Sequence, residues 1–117
     1  MAQIKDMGRN ALPCVADVTD PQQVTGMVEA SVSALGALDA MVANAGIAQV
    51  KALLDLTAQD FERMFRVNVF GVFNCYSAAA RQMVKQGNGG KIIGAARFVA
   101  VGGVCVCGPS RSVDSVA

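Results

Sequence analysis

The sequence predicts an α/β domain in which helices cover a parallel β-sheet, and three observations support this prediction. Short apolar runs alternate with longer stretches that carry helix signals, in the order strand, helix, strand, helix, strand. Such alternation is typical of βαβ units. The chain has 117 residues, which leaves room for one small domain. Right-handed crossovers would place about three strands side by side, with two main helices outside them.

The first predicted strand and helix follow each other closely. Residues 11–16 form a short apolar run, although Pro13 places that strand at an edge or near its own start. A helix then begins, with Asp20 as N-cap and Pro21 at the first helical position. Gly36 ends this helix. Its apolar residues recur at spacings of three and four: Val24, Met27, Val28, Val32 and Leu35.

The second half of the chain predicts two strands that flank a long helix. Residues 38–43 and 91–96 are the strands. Thr57 caps the helix with Asp60 at capping-box spacing, and the helix is expected to reach about Lys85. Its apolar residues wrap widely around the axis, which predicts packing on two partners, a sheet and another helix or subunit. The predicted buried side comprises Phe61, Phe65, Val69, Val72, Phe73, Tyr76 and Ala80.

The composition excludes several classes of protein. Hydrophobic residues make up 53% and charged residues 16% of the chain, against a usual charged share of about 25%, so disorder is not predicted. The formal net charge of +1 predicts binding to neither nucleic acid nor a membrane surface. No apolar run is as long as a membrane span, and the first residues do not resemble a signal peptide. We therefore expect a cytoplasmic protein.

The chain has four cysteines and no histidine. Cys14 and Cys75 lie in apolar runs and are predicted to be buried thiols. Cys105 and Cys107 form a CxC pair without further ligands nearby in the sequence, so no metal site is predicted. The lack of histidine removes the commonest general base and any Ser–His or Cys–His pair.

Three polar residues stand out as candidates for chemistry. Asp17 and Asn44 each follow a predicted strand, and open parallel sheets bind ligands at the carboxyl ends of their strands. Asn68 lies on the apolar stripe of the long helix, which aims an amide at the core. Each has an ordinary alternative: part of a helix cap, a simple turn, and a satisfied core amide or a helix kink beside Gly71. We expect all three to lie along one rim of the sheet.

Four segments carry a resemblance to one enzyme family: ADVTD, LDAMVANAG, MFRVNVFGVFN and GGKIIGAA, in this order and at the spacings of that family. Over about residues 8–96 the chain resembles the short-chain dehydrogenase/reductase family. The segments NAGIAQVKALLDL and AAARQMVKQGNGGKIIGAA are most similar to those of acetoin/diacetyl reductases (2,3-butanediol dehydrogenases). The resemblance implies a truncated, Rossmann-like doubly wound parallel sheet, with residues 1–96 as the central fragment of an NAD(P)-binding domain.

The resemblance also implies roles at the cofactor. Asp17 resembles the acidic residue that bonds the adenine amino group, with the backbone of Val18 beside it. A tripeptide resembles the family's NNAG motif, with Ala43 in place of the first asparagine. This motif flanks the adenosine side of NAD or NADP, and its residues here are Asn44, Ala45 and Gly46.

Catalysis and assembly are implied in the same way. Asn68 resembles the asparagine of the family's catalytic tetrad, whose main chain holds a water in the proton relay. The helix from Asn68 to Lys85 is similar to the one that forms the family's common dimer interface. The family transfers hydride between a nicotinamide cofactor and a small carbonyl or alcohol, which in this branch is a vicinal ketol or diketone.

Several parts of the family pattern are not found. The glycine-rich pyrophosphate loop has no counterpart. Arg97 stands where the catalytic serine is expected, and it cannot replace a serine hydroxyl because arginine donates hydrogen bonds but cannot accept them. The only tyrosine is Tyr76, followed four residues later by Ala80, so YxxxK is absent. Residues 97–117 lose the resemblance, which suggests a frameshift or misplaced splice boundary; a genuine divergent tail is the alternative.

Three functional interpretations remain open at this point. The family interpretation is an oxidoreductase, with no turnover expected from this chain by itself. The second is a non-catalytic piece that pairs with other copies or intact relatives through its apolar helix. The third is a chain that does not fold, because an unpaired apolar sheet edge favours aggregation.

Overall fold

A computed structural model of the protein describes residues 2–95, which alternate helices with strands as expected. The five-residue helix α1 comes first, and a 3₁₀ turn precedes α3. A π-helical segment joins α3 to α4. The elements in chain order are α1 (Ala2–Asp6), α2 (Pro21–Leu35), β1 (Ala40–Ala43), the 3₁₀ turn (Leu53–Asp55), α3 (Ala58–Phe65), the π-helical segment (Arg66–Gly71), α4 (Val72–Gln86) and β2 (Lys91–Gly94).

Helix α2 begins and ends where the sequence predicts. The Asp20 side chain accepts hydrogen bonds from the backbone N–H groups of Gln22 and Gln23, and Pro21 occupies the first turn. At the other end, Gly36 adopts φ +99°, and its N–H donates to the carbonyl of Val32 at 2.8 Å. A positive φ there favours glycine, so both predicted helix ends are confirmed.

The sheet consists of β1 and β2, which pair in parallel with Ala40 opposite Lys91 and Ala43 opposite Gly94. The long helix provides the crossover between them; α4 packs on both strands, and α2 packs on α4. The α/β class and the parallel pairing are therefore confirmed. One cluster of buried residues joins α2, β1 and α4: Val24, Val28, Met41, Ala43, Cys75, Ala78, Ala79 and Met83.

The predicted strand at residues 11–16 does not form. Val15 is fully exposed and Cys14 is exposed, so the predicted burial of the Cys14 thiol is also wrong. A strand needs a neighbour for its backbone groups, and the part of the chain that the structure describes provides none for this segment. Pro13 has no N–H to donate to such a neighbour. Residues 11–16 therefore have the apolar pattern of a strand but lack a neighbouring strand to pair with.

The predicted long helix is continuous from α3 through the π-helical segment to α4. Thr57 and Asp60 form the predicted capping box, and Gly87 ends α4 in the left-handed conformation at φ +77°. The burial prediction was wrong for five side chains, because only the flank with Gly71, Cys75 and the small residues after it packs on α2 and the sheet. Val72 and Tyr76 are half-buried, whereas these five are exposed: Phe61, Phe65, Val69, Phe73 and Ala80.

Candidate functional site

Asp17 lies in an exposed turn before α2, with one carboxylate oxygen still available. Oδ1 accepts a hydrogen bond from the N–H of Thr19 at 2.9 Å, and the backbone N–H of Asp17 donates to Gln23 Oε1 at 3.0 Å. No residue among 2–95 donates to Oδ2. Asp17 is thus both part of the turn that leads into the helix and an acceptor for an external donor.

Val18 is held in place by two residues that the sequence analysis did not identify. Asn74 Nδ2 donates to the carbonyl of Val18 at 2.9 Å, across 56 residues of chain. Gly71 lies directly beneath the Val18 side chain, since a Cβ on Gly71 would come within 2.7 Å of Val18 Cγ2. The signal for both was the small or amide residue at every third or fourth position of the long helix, from Gly71 to Asn74 to Ala78.

A cavity of about 170 Å³ connects Val18 with the end of β1, and we name it the rim cavity. Asn44 and Ala45 follow β1 directly and line its polar end. Its lining is otherwise largely apolar. The complete set of lining residues is Val18, Met27, Met41, Val42, Ala43, Asn44, Ala45, Gly71, Val72 and Cys75. The structure therefore brings Val18, Asn44 and Ala45 to one cavity. Asp17, Gly46 and Asn68, the other candidate site residues, are not among its lining residues.

Asn68 fastens the segment after β1 to the long helix. Its Oδ1 accepts from the N–H of Ile47 at 2.9 Å, and its Nδ2 donates to the carbonyl of Ile47, also at 2.9 Å. A Cβ on Gly46 would lie 3.3 Å from Asn68 Oδ1, so a small residue suits that position. Asn68 is half-buried and lies within the π-helical segment, a rare geometry that often occurs at functional sites.

Asp60 ties the next part of the same segment to α3. Lys51 Nζ and Gln49 Nε2 each donate to its carboxylate at 2.7 Å, and the backbone N–H and hydroxyl of Thr57 donate to it as well. The lysine, first among these donors, holds the pKa of Asp60 well below its ordinary value of 3.8. Asn68 and Asp60 together fix the course of residues 47–57.

Tyr76, the only tyrosine of the chain, is half-buried and packs against the end of β2. Its hydroxyl lies directly against Gly94 of β2, where any larger residue would collide with it. Arg97, in the predicted serine position, and the Cys105–Cys107 pair lie outside the described residues. The structure therefore places Tyr76 in a packing role between α4 and β2.

Cys75 is buried as predicted, and desolvation raises the pKa of its thiol.

None of the helices in residues 2–95 is both long enough and apolar enough to span a bilayer.

Comparison with a family profile and with curated proteins gives consistent results. Residues 1–104 match the profile described as short chain dehydrogenase. The chain is 47% identical over 95 residues to a short-chain dehydrogenase/reductase of Armillaria gallica, covering 81% of this chain and 36% of that protein. It is 40% identical over 103 residues to an L-rhamnose 1-dehydrogenase (NAD(P)(+)) of Sphingomonas (88% and 41%). It is 42% identical over 87 residues to an L-2,3-butanediol dehydrogenase of Corynebacterium glutamicum (74% and 34%).

Solved structures agree with the sequence comparison. A 7α-hydroxysteroid dehydrogenase in complex with NADH and 7-oxo glycochenodeoxycholic acid superposes with a TM-score of 0.78 at 31% identity, covering 87% of this chain and 39% of that one. A short chain dehydrogenase from Burkholderia cenocepacia in complex with NADP gives 0.74 at 35% identity, covering 86% and 40%. The chain thus spans well under half the length of the relatives it matches.

Proposed function

Because the chain belongs to the short-chain dehydrogenase family, we propose that the protein containing these residues is an NAD(P)-dependent oxidoreductase acting on a small ketone or secondary alcohol. Similarity to L-2,3-butanediol dehydrogenase supports a vicinal ketol or diketone as the substrate. The likeness to an L-rhamnose 1-dehydrogenase has a similar identity and extends over more of the chain, so a polyol-like substrate is the competing possibility.

The observation that carries this proposal is the arrangement of Asp17 and Val18 beside the rim cavity. Oδ2 of Asp17 can accept from an aromatic amine, and the N–H of Val18 has no partner in residues 2–95. Asn44 and Ala45 supply the far wall of the cavity. One acceptor, one donor and an apolar slot suit the edge and face of an adenine ring, and the nicotinamide of the same cofactor would exchange the hydride when bound.

For Asn68 we infer a role through its main chain. Both polar atoms of its side chain are already used by Ile47, at 2.9 Å each. Because this pair of bonds fixes the orientation of the amide, we assign the holding of a water to its backbone, in the π-helical segment. Asn68 would thus support the proton relay while its side chain orders the segment after β1.

We propose that residues 1–117 by themselves do not turn over. The one tyrosine packs against Gly94 and has alanine four residues later, so it cannot serve as the acid of a YxxxK pair. Loss of a positioned acid/base alone slows a reaction by about 10²–10⁴-fold. Oxidation of NADH or NADPH by diacetyl, followed by absorbance with the purified chain, tests this proposal; a rate above the protein-free control would contradict it.

The adenine site is tested by ligand binding rather than by turnover. Saturation-transfer NMR with adenosine should show contact between the adenine protons and the chain, and Asp17→Ala should abolish it. Asp39→Ala is the matched control, because Asp39 is also an exposed carboxylate but lies at the opposite end of β1. Adenosine binding that is absent from the unaltered chain, or equal in both variants, would exclude Asp17 as the adenine acceptor.

A second candidate function is pairing through the exposed apolar flank of α3 and the π-helical segment. Phe61 and Phe65 stack at 5.6 Å between ring centroids, and with Phe70 they line a depression of about 390 Å³ bordered by Glu62 and Arg66. Exposed aromatic clusters of this kind mark protein–protein contacts. A two-fold dimer would bury the same flank on both copies.

Sedimentation velocity tests the pairing function. The unaltered chain should sediment as a dimer at micromolar concentration, and Phe65→Glu should make it monomeric. Leu54→Glu is the control, since Leu54 is also apolar and is 97% exposed, against 48% for Phe65, but lies in the 3₁₀ turn. A monomeric unaltered chain, or equal loss of dimer in both variants, would argue against this surface.

Two further proposals concern the whole chain. We propose that residues 97–117 follow a frameshift or a misplaced splice boundary; a downstream frame that encodes serine followed by YxxxK would support this, and its absence from every frame would refute it. We also propose a cytoplasmic location, which fractionation of the source cells would test.

A further inference from the structure

The turn between α4 and β2 contains an asparagine that is followed by a glycine. Asn88 and Gly89 are both exposed, and they lie between Gly87, which ends α4, and Lys91, which begins β2. Because glycine has no Cβ, the backbone nitrogen of Gly89 is open to approach by the side-chain carbonyl of Asn88. The pair therefore meets the steric requirement for attack of a backbone amide on the side chain that precedes it.

Neither reacting group is engaged by the rest of residues 2–95. The side chain of Asn88 makes no hydrogen bond there, and the N–H of Gly89 donates to no acceptor in that range. Gly89 adopts φ +70°, and the space where its side chain would stand has no atom within 4 Å. A buried or hydrogen-bonded amide would first have to give up its contacts, whereas this one has none to lose.

The other asparagines of the described residues each lack one of these conditions. Asn68 and Asn74 lie in the long helix, where their side chains already bond distant backbone groups. Asn10 and Asn44 are each followed by alanine, whose Cβ crowds the backbone nitrogen. Asn88 should therefore react first, and the remaining asparagines are internal controls within the same molecule.

We propose that Asn88 is a site of spontaneous covalent modification, at which the backbone nitrogen of Gly89 attacks Cγ of the Asn88 side chain. The new N–Cγ bond closes a succinimide ring, the bond from Cγ to the side-chain nitrogen breaks, and ammonia leaves with the proton of the Gly89 amide. Water then adds to one of the two ring carbonyls and opens the ring, which yields aspartate or isoaspartate. No electron is transferred and water is the only co-reactant, so the step needs neither the cofactor nor the catalytic residues.

The isoaspartate product lengthens the main chain inside a turn that is fixed on both sides. On one side, the N–H of Gly87 donates to the carbonyl of Met83 at 3.2 Å. On the other, a Cβ on Gly90 would lie 2.5 Å from Met83 Sδ, and the N–H of Lys91 donates to the carbonyl of Asp39 at 2.9 Å. An additional methylene between these anchors strains the turn, so this first hydrogen bond of the β1–β2 ladder should open more often.

Peptide mapping after incubation of the unaltered chain at mildly alkaline pH tests the site. Trypsin cleaves after Lys85 and Lys91, so Asn88 is released in a short peptide that contains no other asparagine. The mass of this peptide should rise by the difference between an amide and a carboxyl group. The peptide should also accept a methyl group from an isoaspartyl carboxyl methyltransferase supplied with S-adenosylmethionine. Peptides that contain the other asparagines should stay unchanged over the same period, and a sample taken before incubation gives the background.

Asn88→Gln is the matched control, because it keeps an amide at this position but places it one methylene further from the backbone nitrogen. This variant should show no change in mass. The N-acetylated peptide Gln-Gly-Asn-Gly-Gly-Lys measures the reaction without the fold. Reaction of the folded chain more than about tenfold slower than that of the peptide would overturn the proposal, because the turn would then hold the pair in an unreactive geometry. Equal reaction at Asn10 would also overturn it.

Amide hydrogen exchange separates the lengthened backbone from the added charge. Exchange at Lys91 should be faster in the isoaspartate form, whereas exchange at Gly36, whose N–H bonds the last turn of α2, should stay the same. Asn88→Asp carries the added charge on an ordinary backbone, so its exchange at Lys91 should remain close to that of the unaltered chain. Equal acceleration in this variant and in the isoaspartate form would contradict the strain assigned to the turn.

Discussion

Replacing Asn68 by alanine removes two hydrogen bonds that hold the segment after β1. The backbone N–H and carbonyl of Ile47 both lose their partner, each now at 2.9 Å. A net contribution of about 1 kcal/mol per bond gives a loss of about 2 kcal/mol in the free energy of unfolding. Alanine's better helix propensity returns about 0.6 kcal/mol, which leaves about 1.4 kcal/mol. Both groups are only half-buried, so water limits any larger penalty.

Urea denaturation followed by circular dichroism measures this loss. With a slope of about 1.5 kcal/mol/M, the midpoint should fall by about 1 M. Asn74→Ala is the matched control: it is the same substitution on the same helix, but it removes one bond to Val18 and should cost only about 0.4 kcal/mol net. Faster amide exchange at Ile47 should accompany the first variant alone. Equal stability of the two variants, with Ile47 exchange unchanged, would refute the reasoning.

Three further predictions follow from contacts and pKa values. Gly71→Ala should destabilise the fold by about 1–2 kcal/mol, because the new Cβ would lie 2.7 Å from Val18 Cγ2. Gly26→Ala has open space around it and should stabilise the fold by up to about 1 kcal/mol. Urea midpoints that rise for both variants would contradict this. Folding lowers the pKa of Asp60, so the ionised carboxylate stabilises the fold above about pH 4 and this stabilisation is lost as the pH falls further. The difference in free energy of unfolding between the unaltered chain and Asp60→Asn should therefore shrink from pH 7 to pH 3. A constant difference would refute this prediction. At neutral pH, Cys14 should react with iodoacetamide much faster than Cys75, which is buried and has a raised pKa; comparable rates, measured by peptide mapping, would show that the core opens readily.

Local signals predicted the helix ends because they depend on neighbouring residues alone. Asp20, Thr57 and Gly36 act through hydrogen bonds or backbone angles within one turn. Strand formation at residues 11–16 was not predictable in the same way, because a strand requires a second strand at the right place. The apolar pattern around Val15 described a surface suited to pairing, and the described chain leaves that surface exposed.

The candidate site was predictable where a polar residue interrupted an apolar pattern. Asn68 was identified for that reason, although its partner, the backbone of Ile47, could not be read from spacing across 21 residues. The contacts of Asn74 and Gly71 with Val18 were missed, because no local pattern shows which distant residue approaches the helix there. A long-range hydrogen bond to a backbone group does not restrict the type of the residue that is contacted, so the sequence gives no signal of it.

Three amides of the long helix bind main-chain atoms in distant segments: Asn68 holds Ile47, Asn74 holds Val18, and Gln86 bonds both the N–H and the carbonyl of Leu38 at 3.2 and 2.8 Å. Because these hydrogen bonds are to backbone atoms, they do not depend on the side chain of the residue that is held. The positions of Ile47 and Leu38 can therefore change identity during evolution with little effect on these bonds, while the amide positions on the helix have no equivalent substitute. Constraint should accumulate on the helix and diversity on the segments it anchors.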